Sequence, residues 1–461
     1  MPQAPKIEVI DGQTLLLNEV PDRRSKTSPV LATLPLVGLR KPLYITDDVF
    51  SEGILVLGRP GTGKSNLISF LLDGIEKSMT DRDIAVVFDP KEDYWRRHGR
   101  SGDVVIRANS GADEDGAWSL PAELNSLGDP EEEREIILND ICHLLIGDTM
   151  SHSSSNSFFE KAARDMLGGV VSHLARQPEA TNASLRNYFD SSNASSIRKL
   201  VEGSEKTRWL ADYLPERVEG QTGGVIATLK QAVNDVFQGR FSAPGDISIR
   251  KEIRRKGGRF VFLAFRVSSG KTIAPGFATI LNLAIREALV VGQEELDREG
   301  QVASRVYFVV DEFARLPRVT HLEPAINFGR GLGLRFALGL QSWKQALAAF
   351  PDEGETILSG LGTMFAHHVA DEATREEIKG RAGKNLKRVA VRSTSLANDP
   401  EAIFPDDVIQ DKDVASLERG QTIVVMPAIQ PFKVTLQRYE DWLRATKGSG
   451  RDAACVARIW R

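Results

Sequence analysis

Cysteine is nearly absent from this sequence. Its 461 residues include two cysteines, Cys142 and Cys455, which lie far apart along the chain. Two distant thiols build neither a disulfide framework nor a zinc site, so both kinds of small stabilised domain are excluded. Cys142 stands close to Ile141, Leu144 and Leu145, and we expect it to be a buried thiol. The low cysteine content favours a reducing compartment.

Long apolar runs are also missing. The best candidate for a membrane span, residues 277–291, is interrupted by Asn282, Arg286 and Glu287. The N-terminus lacks the charged segment and apolar stretch of a signal peptide. We therefore expect a cytoplasmic protein without an intrinsic transmembrane segment, attached to a membrane at most peripherally.

The sequence has no large excess of charge of either sign. It carries 59 Lys and Arg residues against 63 Asp and Glu residues, a formal net charge of −4. A protein that is drawn to nucleic acid by its overall charge is basic, which this chain is not. If the chain binds DNA, its basic residues must be concentrated on one surface, such as the lining of a pore.

One glycine-rich stretch is specific. Residues 58–65 read GRPGTGKS, which fits the P-loop pattern, and the apolar run Ile54–Leu57 predicts the strand that should precede it. A helical pattern follows at 66–72. Glycines let the backbone curl around phosphate oxygens, and the helix N-terminus favours the anion. We expect ATP here, with Lys64 at the β- and γ-phosphates and Ser65 holding Mg²⁺. The residues predicted to contact the nucleotide are Gly58, Arg59, Pro60, Gly61, Thr62, Gly63, Lys64, Ser65 and Asn66.

A second motif lies in the C-terminal half of the chain. The apolar run Val306–Val310 is followed by Asp311 and Glu312, as in the Walker B motif of P-loop ATPases. Asp311 would bind the Mg²⁺ shell, and Glu312 would act as general base on the attacking water. The pattern is weak alone and becomes strong downstream of a good P-loop.

Three polar residues beside these motifs are further candidates, and two of them leave alternatives open. Asp89 ends the apolar run 84–88, so it either faces a ligand at the edge of the sheet or caps the following turn. Gln341 follows the strand predicted at 334–340 and would sense the γ-phosphate. Arg330, in a glycine-rich turn, is either an arginine finger that reaches an adjacent subunit or a solvated surface residue.

Strand patterns alternate with helical stretches except in the segment 129–240, where only helical periodicity is found. We predict an α/β P-loop NTPase fold with a mostly parallel central sheet and an inserted all-α domain. The predicted segments are 1–50 (short strands, with a hairpin at Asp11–Gly12), 51–128 (first part of the P-loop NTPase domain), 129–240 (all-α insertion), 241–441 (second part of the P-loop NTPase domain) and 442–461 (solvated C-terminal tail). Helices are expected in the insertion at 158–176, 195–202, 205–214 and 224–237, and late strands at 389–395, 422–426 and 432–437.

The sequence around the second motif resembles that of the TraG/TraD-like coupling ATPases of type IV secretion. The resemblance rests on DEFARLP at 311–317, GRG at 329–331, Gln341–Ser342 and FDPK at 88–91, together with the α insertion. It covers about 46–441.

The resemblance implies a RecA-like motor that is a homo-oligomer, a hexamer in that family. Such a motor recruits relaxase-bound DNA and couples it to type IV secretion channel subunits in conjugation. By position, Arg330 matches the trans-acting arginine and Gln341 the sensor glutamine, which joins both to Lys64 and Glu312 as catalytic candidates. Most members carry N-terminal transmembrane helices. We expect a soluble variant, attachment through a partner, or a truncated chain.

Two other interpretations stay open. One is a motor of the same fold with another cargo, either a HerA/FtsK-like DNA translocase or a secretion-assembly ATPase. The other is a nucleotide-regulated docking protein with little hydrolysis, against which the presence of Glu312 and Arg330 argues.

Overall fold

The chain forms two compact units in this computed structural model. Unit 1 comprises Met1–Ser78, Val309–Ala314 and Arg335–Arg461, and unit 2 comprises Met79–Phe308 and Arg315–Leu334. The structure describes residues 7–21, 28–108, 116–147, 154–216, 218–266, 272–316, 318–390 and 401–447.

The described strands, in chain order, are β1 (Ile7–Asp11), β2 (Leu16–Leu17), β3 (Val30–Leu34), β4 (Leu43–Thr46), β5 (Ile54–Leu57), β6 (Ile84–Asp89), β7 (Val104–Arg107), β8 (Arg259–Ala264), β9 (Val306–Val310), β10 (Leu334–Leu340), β11 (Thr363–Ala366), β12 (Lys384–Ala390), β13 (Glu401–Asp407), β14 (Gln421–Met426) and β15 (Ile429–Thr435).

The described α-helices are α1 (Asp47–Ser51), α2 (Lys64–Ser78), α3 (Tyr94–His98), α4 (Leu120–Asn125), α5 (Glu131–Leu145), α6 (Ser154–Leu174), α7 (Asn182–Ser191), α8 (Ala194–Glu202), α9 (Glu219–Val236), α10 (Ile249–Arg255), α11 (Ala274–Glu299), α12 (Leu322–Phe328), α13 (Trp343–Ala349), α14 (Gly354–Ser359), α15 (Glu372–Ala382), α16 (Asp411–Ala415) and α17 (Tyr439–Lys447).

The sheet of unit 1 places several strand ends at one edge. Its strands follow the order β2-β15-β14-β11-β5-β10, and the end of β9 lies beside β10. β5 is parallel to both β10 and β11, and Leu57 is in register with Leu340 on one side and Ala366 on the other. Every residue of β5 and β10 is buried, as expected for parallel strands covered on both faces. The residues that follow these strands are therefore brought to the same edge.

The prediction of an N-terminal hairpin at Asp11–Gly12 is wrong. Among the described residues, β1 pairs with β12 and the two-residue β2 runs parallel to β15. At the turn between them, Gly12 packs on Asn385, where a Cβ on the glycine would lie 3.0 Å from the Asn385 Cα. The turn thus sends the chain from one sheet to another instead of folding it back on itself.

Two C-terminal boundaries also differ from expectation. The strand expected at 389–395 begins earlier, because β12 runs from Lys384 to Ala390 and pairs along its length with β13; residues 391–400 lie outside the described part. Helix α17 continues to Lys447 into the segment expected to be a solvated tail. Its Trp442 packs against Phe70 of α2, with ring centroids 5.3 Å apart. Residues 448–461 lie outside the described part.

Unit 2 contains a set of parallel strands, of which β6 and β8 are buried along their whole length. β8 pairs with β6 on one side and with β7 on the other, and the beginning of β9 lies beside β6. Helix α11 is the one described helix that is long and apolar enough to cross a membrane, and 72% of its apolar stretch is buried in the protein. Burial of that extent is typical of the core helix of an α/β fold.

The described elements between Glu131 and Val236 are all helical. Helices are confirmed in the four regions expected, the third as a 3₁₀ helix at Arg208–Tyr213. α7 was not expected, although a capping box of Thr181 and Ser184 marks its start. The domain boundaries themselves stay predictions.

Candidate active site

The residues that predict a P-loop form a tight turn between β5 and α2. Gly58 has a φ of 156°, and a Cβ there would lie 2.7 Å from Thr62 Oγ1 and 2.8 Å from the Cβ of His367. The turn is closed by Thr62, whose hydroxyl donates to the Arg59 carbonyl at 2.8 Å. Because α2 begins at Lys64, the N–H groups of its first turn have no partners within the helix and are suited to an anion.

Lys64 and Glu312 meet at this turn. Lys64 Nζ lies 3.0 Å from Glu312 Oε1, and the two residues are only 4% and 5% exposed. Glu312 has a left-handed backbone, with φ of +55°. A non-glycine residue in that region is uncommon and is found disproportionately at functional sites. The two charges neutralise each other in a buried setting, where either alone would be costly.

Asp311 approaches the end of β10 unusually closely. Its side chain is buried, and a Cβ on Gly339 would lie 2.5 Å from Asp311 Oδ1. Position 339 therefore accepts only glycine if Asp311 is to keep its place. Sequence reasoning missed Gly339, although a glycine inside a strand pattern is a known signal of close approach.

Of the other predicted residues of unit 1, Gln341 and Ser65 lie at the phosphate-binding turn, whereas the side chain of Asn66 makes its hydrogen bonds elsewhere. Gln341 follows Leu340, whose carbonyl accepts a bond from the Gly58 N–H at 3.1 Å, so Gln341 lies beside the loop. Ser65, in the first turn of α2, is half-buried. Asn66 is engaged elsewhere: its amide donates to the Gln437 carbonyl at 2.8 Å, and its oxygen accepts from the Tyr439 N–H at 2.7 Å. The Asn66 side chain thus ties α2 to the segment before α17.

His367 is a buried neighbour of the loop that sequence reasoning did not find. It follows β11, and its Nδ1 lies 2.9 Å from the Gln421 carbonyl. Burial, assisted by the positive charge of Lys64, lowers the pKa of His367 to about 4. The ring is therefore neutral at physiological pH.

Arg330 belongs to unit 2. It is exposed and lies in the 3₁₀ turn Gly329–Leu332, which packs on α11 at Gly292. A Cβ on Gly292 would lie 2.4 Å from the Leu332 carbonyl oxygen. The turn that carries the arginine is therefore seated firmly on a core helix.

Asp89 caps the turn that follows β6. Its carboxylate accepts the backbone N–H groups of the residues Lys91, Asp93, Tyr94 and Trp95. Burial raises the pKa of Asp89 to about 6, against the opposing effect of these bonds. Of the two alternatives left open by the sequence, the capping role is the one that this geometry supports.

The donor set at the edge of unit 1 fits a nucleotide with magnesium. The turn presents N–H groups and an ammonium that suit phosphate oxygens, and Ser65 and Asp311 would supply the hard oxygen ligands that Mg²⁺ prefers. Within the described ranges, no three His, Cys, Asp or Glu side chains cluster closely enough to hold a metal ion. A magnesium ion would thus be held jointly with phosphate oxygens.

A family model described as the type IV secretion-system coupling protein DNA-binding domain matches residues 43–431. Among curated proteins, the type IV secretion system-coupling protein VirD4 of Bartonella quintana (strain Toulouse) is 22% identical over 335 residues, which cover 66% of this chain and 50% of that protein. The conjugal transfer protein TraG of Agrobacterium fabrum (strain C58 / ATCC 33970) is 23% identical over 327 residues, covering 67% and 45%. The chain thus spans about half the length of the curated relatives it matches.

Solved structures show the same fold. The unbound monoclinic form of the bacterial conjugative coupling protein TrwBdeltaN70 superimposes with a TM-score of 0.71 at 19% identity, covering 90% of this chain and 89% of that one. Plasmid coupling protein TrwB in complex with the ATP analogue ADPNP gives a TM-score of 0.71 at 18% identity, covering 95% and 96%. The fold is therefore that of a P-loop NTPase of the TrwB type, with a large, mostly parallel sheet and flanking helices.

Proposed function

Since the chain belongs to the family of type IV secretion-system coupling protein DNA-binding domains, we propose that it is the ATP-hydrolysing motor of a coupling protein. It recruits relaxase-bound DNA and moves it toward a type IV secretion channel in conjugation. The observation that carries the proposal is the contact of Lys64 with Glu312, 3.0 Å apart, at the edge where the phosphate-binding turn and Asp311 also lie. Phosphoryl transfer to water needs these groups together.

The substrate is a nucleoside triphosphate held by the turn at 58–65. TrwB has been solved with ADP and Mg²⁺, with an ATP analogue and with a GTP analogue, which supports the same class of ligand here. The loop N–H groups and Lys64 bind the phosphates, and Ser65 and Asp311 hold Mg²⁺. The ion, when bound, neutralises charge that develops on the phosphate oxygens.

Binding of the triphosphate must separate the resting ion pair. The phosphates take Lys64 as their counter-ion, and Glu312 is thereby released to accept a proton from the attacking water. The left-handed backbone of Glu312, a conformation that clusters at functional sites, supports this role. Gln341, at the tip of the neighbouring strand, orients the same water.

Hydrolysis is completed between subunits. The exposed Arg330, on a turn anchored to α11, reaches the nucleotide of the adjacent copy in a homo-oligomer, which we propose to be a hexamer. Such a finger contributes about 10³–10⁵ in rate. The motor works in the cytoplasm, or at the inner membrane through a partner. The net charge of −4 implies that DNA meets a local basic surface instead of the protein as a whole.

The experiment measures phosphate release with and without DNA, over a range of salt concentrations. The wild-type protein should turn over ATP faster with DNA, and the stimulation should fall steeply as salt rises. Arg330→Ala and Glu312→Gln should each be inactive alone, whereas a mixture should recover part of the activity, because mixed oligomers pair an intact carboxylate with an intact finger. A rate of ATP turnover that is the same with and without DNA would refute the translocation role. A mixture no better than its components would refute the shared site.

A further inference from the structure

Two residues that flank strands hold the phosphate-binding turn: His367 directly follows β11, and Gly420 directly precedes β14. The backbone N–H of His367 donates to the Leu57 carbonyl at 2.8 Å, directly before the turn. The N–H of Gly420 donates to the Thr62 carbonyl at 2.9 Å, inside the turn. The chain before β14 and the end of β11 thus hold the turn at two points.

The imidazole of His367 joins these two supports. A Cβ on Gly63 would lie 3.2 Å from His367 Cε1 and 3.3 Å from Nδ1, so the ring lies against the turn. Its Nδ1 is 2.9 Å from the Gln421 carbonyl, which can only accept, so Nδ1 carries the proton in the neutral ring. Nε2 is then a bare acceptor, and the described residues offer it no hydrogen-bond partner.

A buried acceptor without a donor is unfavourable, and the His367 ring is fully buried. A core position would be filled more favourably by an apolar ring of the same size, which has no lone pair to leave unsatisfied. What an apolar ring cannot supply is the N–H donated to Gln421. The histidine is therefore explained by its Nδ1 bond.

We propose that His367 is a positioning residue of the nucleotide site, whose Nδ1–H bond to Gln421 fixes the phosphate-binding turn in the shape that takes the phosphates. The inference rests on the proposed nucleotide-binding function and adds a residue to it. His367 acts through the turn and touches no reacting atom. It therefore controls affinity for the phosphates more than the chemical step, and its loss should raise KM and leave kcat nearly unchanged.

The test compares two substitutions. His367→Phe keeps the ring volume and removes both nitrogens, whereas His367→Asn keeps an amide N–H at the position of Nδ1. The readouts are the Kd for a fluorescent ADP analogue, KM and kcat for ATP, and Tm. His173→Phe in unit 2 is the matched control, because it also removes a histidine hydrogen bond, from Nε2 to Thr207 Oγ1 at 3.0 Å.

The phenylalanine variant should raise Kd and KM about tenfold, with kcat within about threefold of wild type. The asparagine variant should recover most of that loss, and the control should lower Tm without changing Kd. A phenylalanine variant with lowered Tm and unchanged Kd would overturn the inference, because the role would then be structural. Equal losses in both variants would overturn it too, since the N–H would not be the cause. Failure of the wild-type protein to bind the ADP analogue would instead refute the proposed function.

Discussion

Replacement of Gly339 by alanine should damage the site although no charged residue is replaced. The new Cβ would lie 2.5 Å from Asp311 Oδ1 and 3.1 Å from its Cα, about 1 Å short of an ordinary van der Waals contact for the oxygen. The shift needed to relieve this contact costs about 1–3 kcal/mol. Alanine ordinarily stabilises a strand relative to glycine by roughly 0.5–1 kcal/mol. At this position we expect the opposite, a lower free energy of unfolding for the alanine variant.

The displaced carboxylate should also weaken magnesium binding. Loss of ligand orientation typically costs about 10–100-fold in metal affinity, so the Mg²⁺ concentration for half-maximal ATP turnover should rise by about that factor. Gly380→Ala is the matched control: it is exposed in α15, a Cβ there meets nothing within 4 Å, and it should raise Tm slightly. Equal Tm and equal Mg²⁺ dependence for Gly339→Ala and wild type would show that Asp311 does not occupy the described position.

Three further outcomes are expected. Lys64→Ala should lower the free energy of unfolding of the nucleotide-free protein by about 3 kcal/mol, measured by denaturant, because Glu312 is left buried and unpaired; the Lys64→Ala/Glu312→Gln double variant should recover much of it. The pKa of His367 falls from 6.5 in the unfolded chain to about 4 in the folded protein. The neutral ring therefore makes its full contribution to the free energy of unfolding above pH 6.5, and this contribution is lost as pH falls toward 4. That loss amounts to about 3 kcal/mol, and Tm should therefore depend less steeply on pH in His367→Asn than in wild type. Gly292→Ala should displace the turn of Arg330 and slow ATP turnover about tenfold or more while Kd for ADP is kept; unchanged turnover would contradict the anchoring of that turn.

The parts of the site that could be predicted from the sequence are those formed by residues that are contiguous in the chain. The strand, glycine turn and helix around Lys64 are one local pattern, and the strand that ends in Asp311 and Glu312 is another. Convergence of the two follows from a general property of parallel sheets, whose strands end at a common edge. The roles of Gly339 and His367 depend on neighbours that are distant in sequence, and no local pattern encodes them.

The errors have the same origin. Asp11–Gly12 is a good hairpin signal, but the partners of β1 and β2 are β12 and β15, at the opposite end of the chain. Pairing over such a separation depends on residues that are distant in sequence, and the turn residues alone do not encode it. The missed helix α7 differs, because its capping box of Thr181 and Ser184 was present in the sequence as a usable local signal.

The two short N-terminal strands have a practical consequence for anyone who trims this protein. The family match begins at residue 43, and a fragment cut there would lose β3 together with β1 and β2. Removal of β1 and β2 would uncover the backbone of β12 in one sheet and of β15 in another, and bare strand edges recruit other chains. A fragment that begins at residue 43 should aggregate, whereas one that begins at residue 7 should stay dispersed.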